Sequence, residues 1–261
     1  MSPTRPVGRE PAFEMLGDPA AGGPFILTCE HASNRLPEED GRPPWKLTAK
    51  DRSLLEEHWG YDLGAANLTR ALQERTGSCA VLSCFSRLVC DPNRDPEEAS
   101  FVVKEVAGHA LSFNRGVNSA ERRRRRAHYA DPYHAAVGSL LTQRTAAEKP
   151  VHLCSVHTFT ERYLETPRSM EVGVLFDAHE THAQRLASAL TAEGFATSLN
   201  APYSGYAGLI YSARRHGREA QVPYLEIEIR QDLLGSAGAL DQVAARIARA
   251  LEAFSPADGF G

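Results

Sequence analysis

Short, nearly unbroken apolar runs recur along the chain: FILTC at 25–29, CAVLSC at 79–84, VHLCSVHTF at 151–159 and MEVGVLF at 170–176. Each is too short for a helix that packs on its own, and none shows the in–out alternation of a strand with one wet face. They read as strands buried on both sides, the mark of a parallel sheet covered by helices. Between them lie helical patterns. One starts near Thr48, where Thr48 and Asp51 make a capping box, and a second spans HWGYDLGAANLTRALQERTG, with Leu63, Ala66, Leu68 and Leu72 as its stripe and Gly77 as its stop. Further helices are expected in ADPYHAAVGSLLTQRTAAEK, with Asp131 as N-cap and Pro132 in the first turn, over residues 180–193, and in ALDQVAARIARALEAF. A short strand near 195–199 and a last one in VPYLEIEIRQDLL complete the alternation. The class is α/β: three α/β/α layers around a mixed, mostly parallel sheet. No internal repeat of fixed period is visible. Residues 91–130, rich in polar residues and breakers, are long for a connection and suit an active-site or lid region.

A chain of 261 residues, 42% hydrophobic, can fill the core of one such domain. The domain is expected over residues 23–261, after a Pro- and Gly-rich segment, 1–22, expected to be flexible. With 29 Lys and Arg against 33 Asp and Glu, the formal charge of −4 gives no global attraction to nucleic acid or to a membrane surface, so a small molecule is the expected partner. Five cysteines, an odd number without a CxxC pair, suit buried reduced thiols in a cytoplasmic protein. The N-terminal stretch has no signal-peptide core, and no run approaches the ~20 apolar residues of a membrane span. Oligomeric state leaves no trace in the sequence.

Three polar clusters stand where strands end or helices begin: Glu30-His31, Tyr61-Asp62 and His157-Thr158. Two histidines with one carboxylate form a common shell for hydrolytic zinc, although their spacing fits no local motif such as HExxH. LEIEIRQD places Glu226 and Glu228 on one strand face and Leu225, Ile227 and Ile229 on the other. A carboxylate there either pairs with an arginine or serves as a general base. Arg87, Arg94 and Arg115 could grip a substrate carboxylate through two parallel hydrogen bonds. The run Arg122 to Arg126 reads as a solvated helix face, or else as an anion-attracting rim that could serve nucleic acid. NAPYSGYAG, with Asn200, Tyr203 and Ser204, reads as a loop able to close over a ligand or as an ordinary turn.

In order, CEHASN, HWGYDLGA, SRLVCDPNR, FNR, SVHTFT, NAPYSG and LEIEIRQDLL resemble the N-formylglutamate amidohydrolase family from residue 24 to the last helix. The resemblance implies a phosphorylase/hydrolase-like fold, akin to zinc-dependent exopeptidases and cell-wall amidases. It also implies one divalent metal, most simply zinc, and no organic cofactor. Carried over by residue, it makes His31, Asp62 and His157 metal ligands and Glu228, in EIRxDL, the general base. Related carboxypeptidase-type sites carry Glu three residues after the first histidine; here that position is Asn34, so Asn34 and Glu30 stand beside Asp62 as alternatives. Asn34, Arg87, Asn93, Arg94, Arg115, Tyr203, Ser204 and Arg230 are the implied substrate contacts. The implied reaction is hydrolysis of the amide of N-formyl-L-glutamate or a related N-acyl amino acid. A peptidase acting on a larger peptide-like substrate, or a non-catalytic binding protein of the same fold, are the alternatives.

Overall fold

The apolar runs become the centre of one seven-stranded sheet in the computed structural model, which describes residues 11–20, 23–38, 45–147, 150–163 and 165–254. The strands are β1 (Phe13–Leu16), β2 (Phe25–Cys29), β3 (Cys79–Ser83), β4 (Glu105–Val106), β5 (His109–Ala110), β6 (His152–Phe159), β7 (Arg162–Tyr163), β8 (Thr166–Pro167), β9 (Val172–Leu175), β10 (Thr197–Leu199) and β11 (Tyr224–Arg230). The helices are α1 (Ala49–Glu56), α2 (Ala65–Thr76), α3 (Ser119–Arg125), α4 (Asp131–Ala146), α5 (Glu180–Ala192), α6 (Tyr211–Ala220) and α7 (Ala237–Phe254). The sheet order is β1-β3-β2-β6-β11-β9-β10. Strands β3, β2, β6 and β11 run parallel, β1 and β9 pair antiparallel at either side of them, and β10 follows β9 in parallel. Pairs β4–β5 and β7–β8 are two-stranded hairpins outside the sheet.

Helices α2, α5 and α7 cover one face, packing Leu68, Leu186 and Ile247 with Leu27, Val156 and Ile227. Helices α4 and α6 cover the other, packing Val137, Leu140 and Ala213 with Ile26, Leu153 and Tyr224. This is the three-layer α/β/α arrangement expected from the sequence. Slipping β11 by one residue would expose Ile227 and Ile229 to the polar side, at about 1.5–3 kcal/mol per apolar side chain, and would drive Glu226 and Glu228 into the α7 core. The register Glu228↔His157 and Glu226↔Ser155 is fixed by that cost.

The capping box forms as expected: the Asp51 amide donates to Thr48 Oγ1 (3.1 Å) and the Thr48 amide to Asp51 Oδ2 (2.8 Å). Helix α2 stops at Gly77, which takes the left-handed conformation (φ 62°). None of the five cysteines forms a disulfide, and four of them are buried.

Four local expectations change. Phe13–Leu16, inside the segment expected to be flexible, pairs with β3 as an edge strand. Asp131 is not an N-cap: the helix begins at Asn118, whose side chain accepts from the Glu121 amide, and runs on through a π-helical turn at Arg126–Ala130 into α4. In that turn the Asp131 amide reaches back five residues to the Arg126 carbonyl, making room for Pro132, which has no N–H to give. Helix α6 was not anticipated, because YSARRHGREA is short, has few large apolar residues and carries a mid-helix glycine; a Cβ at Gly217 would lie 2.2 Å from the Tyr224 ring, so close approach to β11 selects that residue. The run Arg122 to Arg126 is not simply a solvated face. Arg125 is fully buried, donating to the carbonyls of Val89 and Phe113 and to Asn114 Oδ1, while Arg122 donates to Pro96 O, Arg124 pairs with Glu121, and Arg126 pairs with Asp131. These bonds tie down the segment 91–130. In the connection between β2 and α1, residues 39–44 lie outside the described residues.

Candidate active site

On the face covered by α4 and α6, alternate residues change character along each central strand. Strand β2 leads through Ile26 and Thr28 to Glu30, β6 through Leu153 and Ser155 to His157, and β11 through Tyr224 to Glu226 and Glu228. The apolar half packs on the helices and the polar half opens at the carboxyl edge, where parallel sheets present their ligands.

At that edge His31, Asp62 and His157 converge, all buried. His31 Nδ1 lies 3.1 Å from His157 Nδ1 and 3.5 Å from Asp62 Oδ2, and Asp62 Oδ2 lies 2.8 Å from His157 Nδ1. Ligand atoms about 2.0–2.1 Å from a tetrahedral zinc stand about 3.3 Å apart, so this tripod has the size of a hydrolytic metal site. Asp62 is delivered by the turn before α2, where its amide donates to the His31 carbonyl (2.9 Å). The opposite nitrogens of both imidazoles face carboxylates: His31 Nε2 is 2.7 Å from Asp91 Oδ1, and His157 Nε2 is 3.1 Å from Glu30 Oε2. Such outer carboxylates fix tautomer and ring orientation in metal sites. Glu30 thus meets the ring nitrogen of His157 that is turned away from Asp62 and His31. Tyr133 OH (3.0 Å) and Ser155 Oγ (2.5 Å) donate to it in turn.

Ionisable groups of both signs crowd the tripod. Five carboxylates, of Glu30, Asp62, Asp91, Glu226 and Glu228, share this edge with the guanidinium groups of Arg87 and Arg94. Burial pushes Glu226 up to about 7 and Glu228 well above the carboxylate range, each against the pull of His157. Burial opposes charge on His157 too, yet Glu226, Asp62 and Glu30 hold its pKa well above that of free imidazole. Arg87 donates to Asp62 Oδ1 (2.7 Å) and touches His31 Nδ1, a cationic side chain drawn to the tripod. The donor set and its spacing fit a divalent metal.

A cavity of about 230 Å³ opens above the tripod, lined by His31, Asp62, Arg87, Asn93, Arg94, His157, Tyr203 and Glu228 among others. Glu228 Oε2 is buried there without a hydrogen-bond partner among the described residues. Glu226 is engaged, accepting from Asn93 Nδ2 (3.2 Å) beside His157 Nε2 (3.5 Å). Of the residues expected from the sequence, the structure gathers His31, Asp62, His157, Glu228, Arg87, Asn93, Arg94 and Tyr203. It does not bring four others to the cavity. Asn34 donates to Glu56 (2.9 Å), Arg115 is exposed elsewhere, Ser204 starts a 3₁₀ turn, and Arg230 pairs with Asp232. Thr158, from the His157-Thr158 cluster, lines the wall, and residues not anticipated are Asp91 and Ser155 behind the imidazoles, and His58, Thr160 and Gln231 in the wall. His58 sits in the quoted HWGYD motif and was the most findable; the Asp91 contact depends on the path of residues 84–91 and leaves no periodic trace.

Fold and site define a three-layer α/β protein whose sheet edge carries a buried histidine–carboxylate tripod beside an unpartnered glutamate. The family model for N-formylglutamate amidohydrolase matches residues 23–235. The chain belongs to the N-formylglutamate amidohydrolase family, and membership makes it a hydrolase of amide bonds. Among solved structures, the gene product Atu2144 from Agrobacterium tumefaciens is similar at 29% identity and TM-score 0.86, covering 95% of this chain and 96% of that one. An N-formylglutamate amidohydrolase from Ralstonia eutropha JMP134 shares the fold at 17% identity and TM-score 0.69, over 92% of this chain and 97% of that one. No curated protein matches the chain. No helix among the described residues is long and apolar enough to cross a membrane.

Proposed function

We propose that residues 23–261 form a single metal-dependent amidohydrolase domain that cleaves N-formyl-L-glutamate or a closely related N-acyl amino acid in the cytoplasm. The observation that carries this is the pairing of the tripod with Glu228, whose free carboxylate oxygen faces the cavity one strand away from His157. His31, Asp62 and His157 would hold the metal, with Asp91 and Glu30 orienting the two imidazoles. A divalent metal there would supply Lewis acidity, polarising the amide carbonyl and making water more acidic. Glu228 takes the proton of the attacking water on Oε2 and returns it to the amide nitrogen. The C–O bond forms first as water adds to the carbonyl carbon, and the C–N bond then breaks once the nitrogen has received the proton from Glu228, releasing the acid and the free amine. Arg94, with its Nη1 held by the Asn93 carbonyl (2.8 Å) and the rest of its fork free among the described residues, binds a carboxylate of the leaving amino acid. Glu226, occupied by Asn93, keeps the neighbouring wall in place.

The cavity favours this substrate class over long peptides: about 230 Å³ lies below the roughly 300–1,000 Å³ of pockets for drug-sized ligands. The test is kcat for Glu228→Gln and Glu226→Gln on the best of a set of N-formyl, N-acetyl and N-succinyl amino acids, with metal content measured in both. Glu228→Gln should keep its metal and lose roughly 10²–10⁴ in turnover, and Glu226→Gln much less. Equal losses, or loss of metal in Glu228→Gln alone, would turn Glu228 into a structural partner or ligand.

A further inference from the structure

Three histidines stand together at the opposite edge of the sheet. His152 opens β6, five residues and about 16 Å along the strand from His157, while His182 lies in the first turn of α5 and His179 immediately precedes that helix. The His182 ring centre is 5.5 Å from that of His152 and 5.7 Å from that of His179. Two imidazoles on one tetrahedral zinc, with Zn–N about 2.0–2.1 Å, hold their ring centres roughly 5 Å apart, so either pair is spaced to share an ion. The nitrogens of all three are not gathered within 4.8 Å of one another, so the half-buried rings of His179 and His182 must turn to close on a single ion.

Two features set the cluster apart from ordinary aromatic packing. His152 is only 5% exposed, fixed between the rings of Phe25 (5.8 Å) and Phe254 (5.3 Å), and its Nδ1 is buried with no hydrogen-bond partner among the described residues. An orphaned buried nitrogen calls for a water or an ion. His179 holds φ at 57°, a left-handed conformation that costs energy outside glycine, yet its side chain makes no bond to cap α5. The conformation therefore serves to place the ring, edge-on to Tyr224 at 5.1 Å, rather than to cap the helix. The protonation states suit a metal as well. Burial pushes His152 down to about 4, helped by His182, His179 and Arg185; burial also lowers His179, helped by His182, and His182, helped by Arg185. The rings are mainly neutral at pH 7, so an arriving metal has few protons to displace. Arg185 and the amino end of α5 oppose any cation, and affinity must come from coordinate bonds to imidazole, which selects Zn²⁺, Ni²⁺ or Cu²⁺ over Mg²⁺ and Ca²⁺.

We propose that His152, His179 and His182 form a second metal site, for a transition-metal ion that favours imidazole, separate from the tripod and independent of the reaction assigned to it. An ion held there clamps the start of α5 to β6. Ring rotation and the opposing charge both cost affinity, so the dissociation constant is on the order of micromolar, and the site fills on titration rather than holding its ion through purification.

The experiment titrates Zn²⁺, Mg²⁺ and, as a visible reporter of tetrahedral coordination, Co²⁺ into wild type and into His31→Ala/His157→Ala, each with and without His182→Gln or His179→Asn, and reads binding by calorimetry. Asn is chosen at 179 because it tolerates the left-handed backbone. The variant lacking the tripod histidines should still take up one Zn²⁺ per chain and give the Co²⁺ absorption, and wild type should take up one Zn²⁺ more than its tripod holds. His182→Gln and His179→Asn should each weaken that uptake by at least the roughly 10–100-fold that losing a supporting group costs a metal site. Mg²⁺ should not bind there. If His31→Ala/His157→Ala is unfolded by circular dichroism, the Zn²⁺ count in wild type against His182→Gln and His179→Asn alone decides. No uptake beyond the tripod, unchanged affinity in either histidine variant, or equal binding of Mg²⁺ overturns the proposal, and the cluster is then aromatic packing with a water on His152.

Discussion

Mild acid should destabilise this protein through two histidines outside the site. His134 on α4 and His216 on α6 are buried against each other, with His134 Nδ1 2.9 Å from His216 Nε2. Burial pushes His134 down to about 3, helped by His216 and Arg215, and His216 down to about 4, helped by Arg215 and opposed by Glu219 and Glu30. Both folded values lie below the ~6.5 of an unfolded histidine, so the unfolded chain binds more protons and stability rises with pH. The contribution is complete above about pH 6.5 and is lost as pH falls toward 4. At pH 5 an unfolded histidine is about 97% protonated and the buried one is mostly neutral, which costs about 2 kcal/mol per residue and about 4 for the pair. Urea unfolding at pH 7.5 and 5.0 measures this in wild type and in His134→Gln/His216→Gln, where every other group titrates alike and cancels. Wild type should lose about 4 kcal/mol more than the double variant across that interval. A difference below about 1 kcal/mol would mean that the pair is solvated or shares a proton, and the burial argument would fail.

Purified protein should carry about one divalent metal per chain by elemental analysis; His31→Ala/His157→Ala should abolish it, and full occupancy in that variant would place the metal elsewhere. Glu30→Gln and Asp91→Asn should each weaken metal binding about 10–100-fold in competition with a chromophoric chelator, since each removes the carboxylate behind one imidazole. Asp51 lies far from the chemistry but is fully buried; although burial pushes its carboxyl up, hydrogen bonds from Ser112 and Thr48 hold it well below the usual range. Asp51→Ala removes one half of the α1 capping box, the bond from the Thr48 amide to Asp51 Oδ2, together with the tie to Ser112 (2.5 Å), and should cost about 2–4 kcal/mol in urea unfolding with metal affinity unchanged.

The sequence made the sheet legible because β2, β3, β6 and β9 are continuous apolar runs, a pattern that a doubly covered sheet requires. It concealed β1, whose FEML is half-exposed at an edge, and α6, whose helical state comes from packing on β11 rather than from the propensity of YSARRHGREA. The Asp131-Pro132 signal was sound local chemistry, overridden when the preceding helix widened by one residue in its last turn before the proline. The arginine run shows the limit of reading charge by composition. Which of five consecutive guanidinium groups is buried depends on where the carbonyls of Val89 and Phe113 come to lie, a tertiary fact without a sequence period.

The same distinction runs through the site. A residue at the end of a central strand has its direction set by the two-residue alternation, so His157 and Glu228 could be aimed at one side of the sheet from sequence alone. Glu30 precedes His31 directly, and adjacency alone made it a rival ligand. What decides its role is the neighbour it meets: Ser155 and Tyr133 close around its oxygens, leaving them to hold His157 Nε2, on the ring edge away from the tripod. Arg115 lies outside the cavity lining for a related reason. FNR fixes its chemistry, but Asn114 is anchored to the carbonyls of Leu88 and Val103, and the next residue is left exposed. Arg94 does line the cavity, held by the carbonyls of Asn93 and Leu209 and with no carboxylate within ion-pairing distance among the described residues.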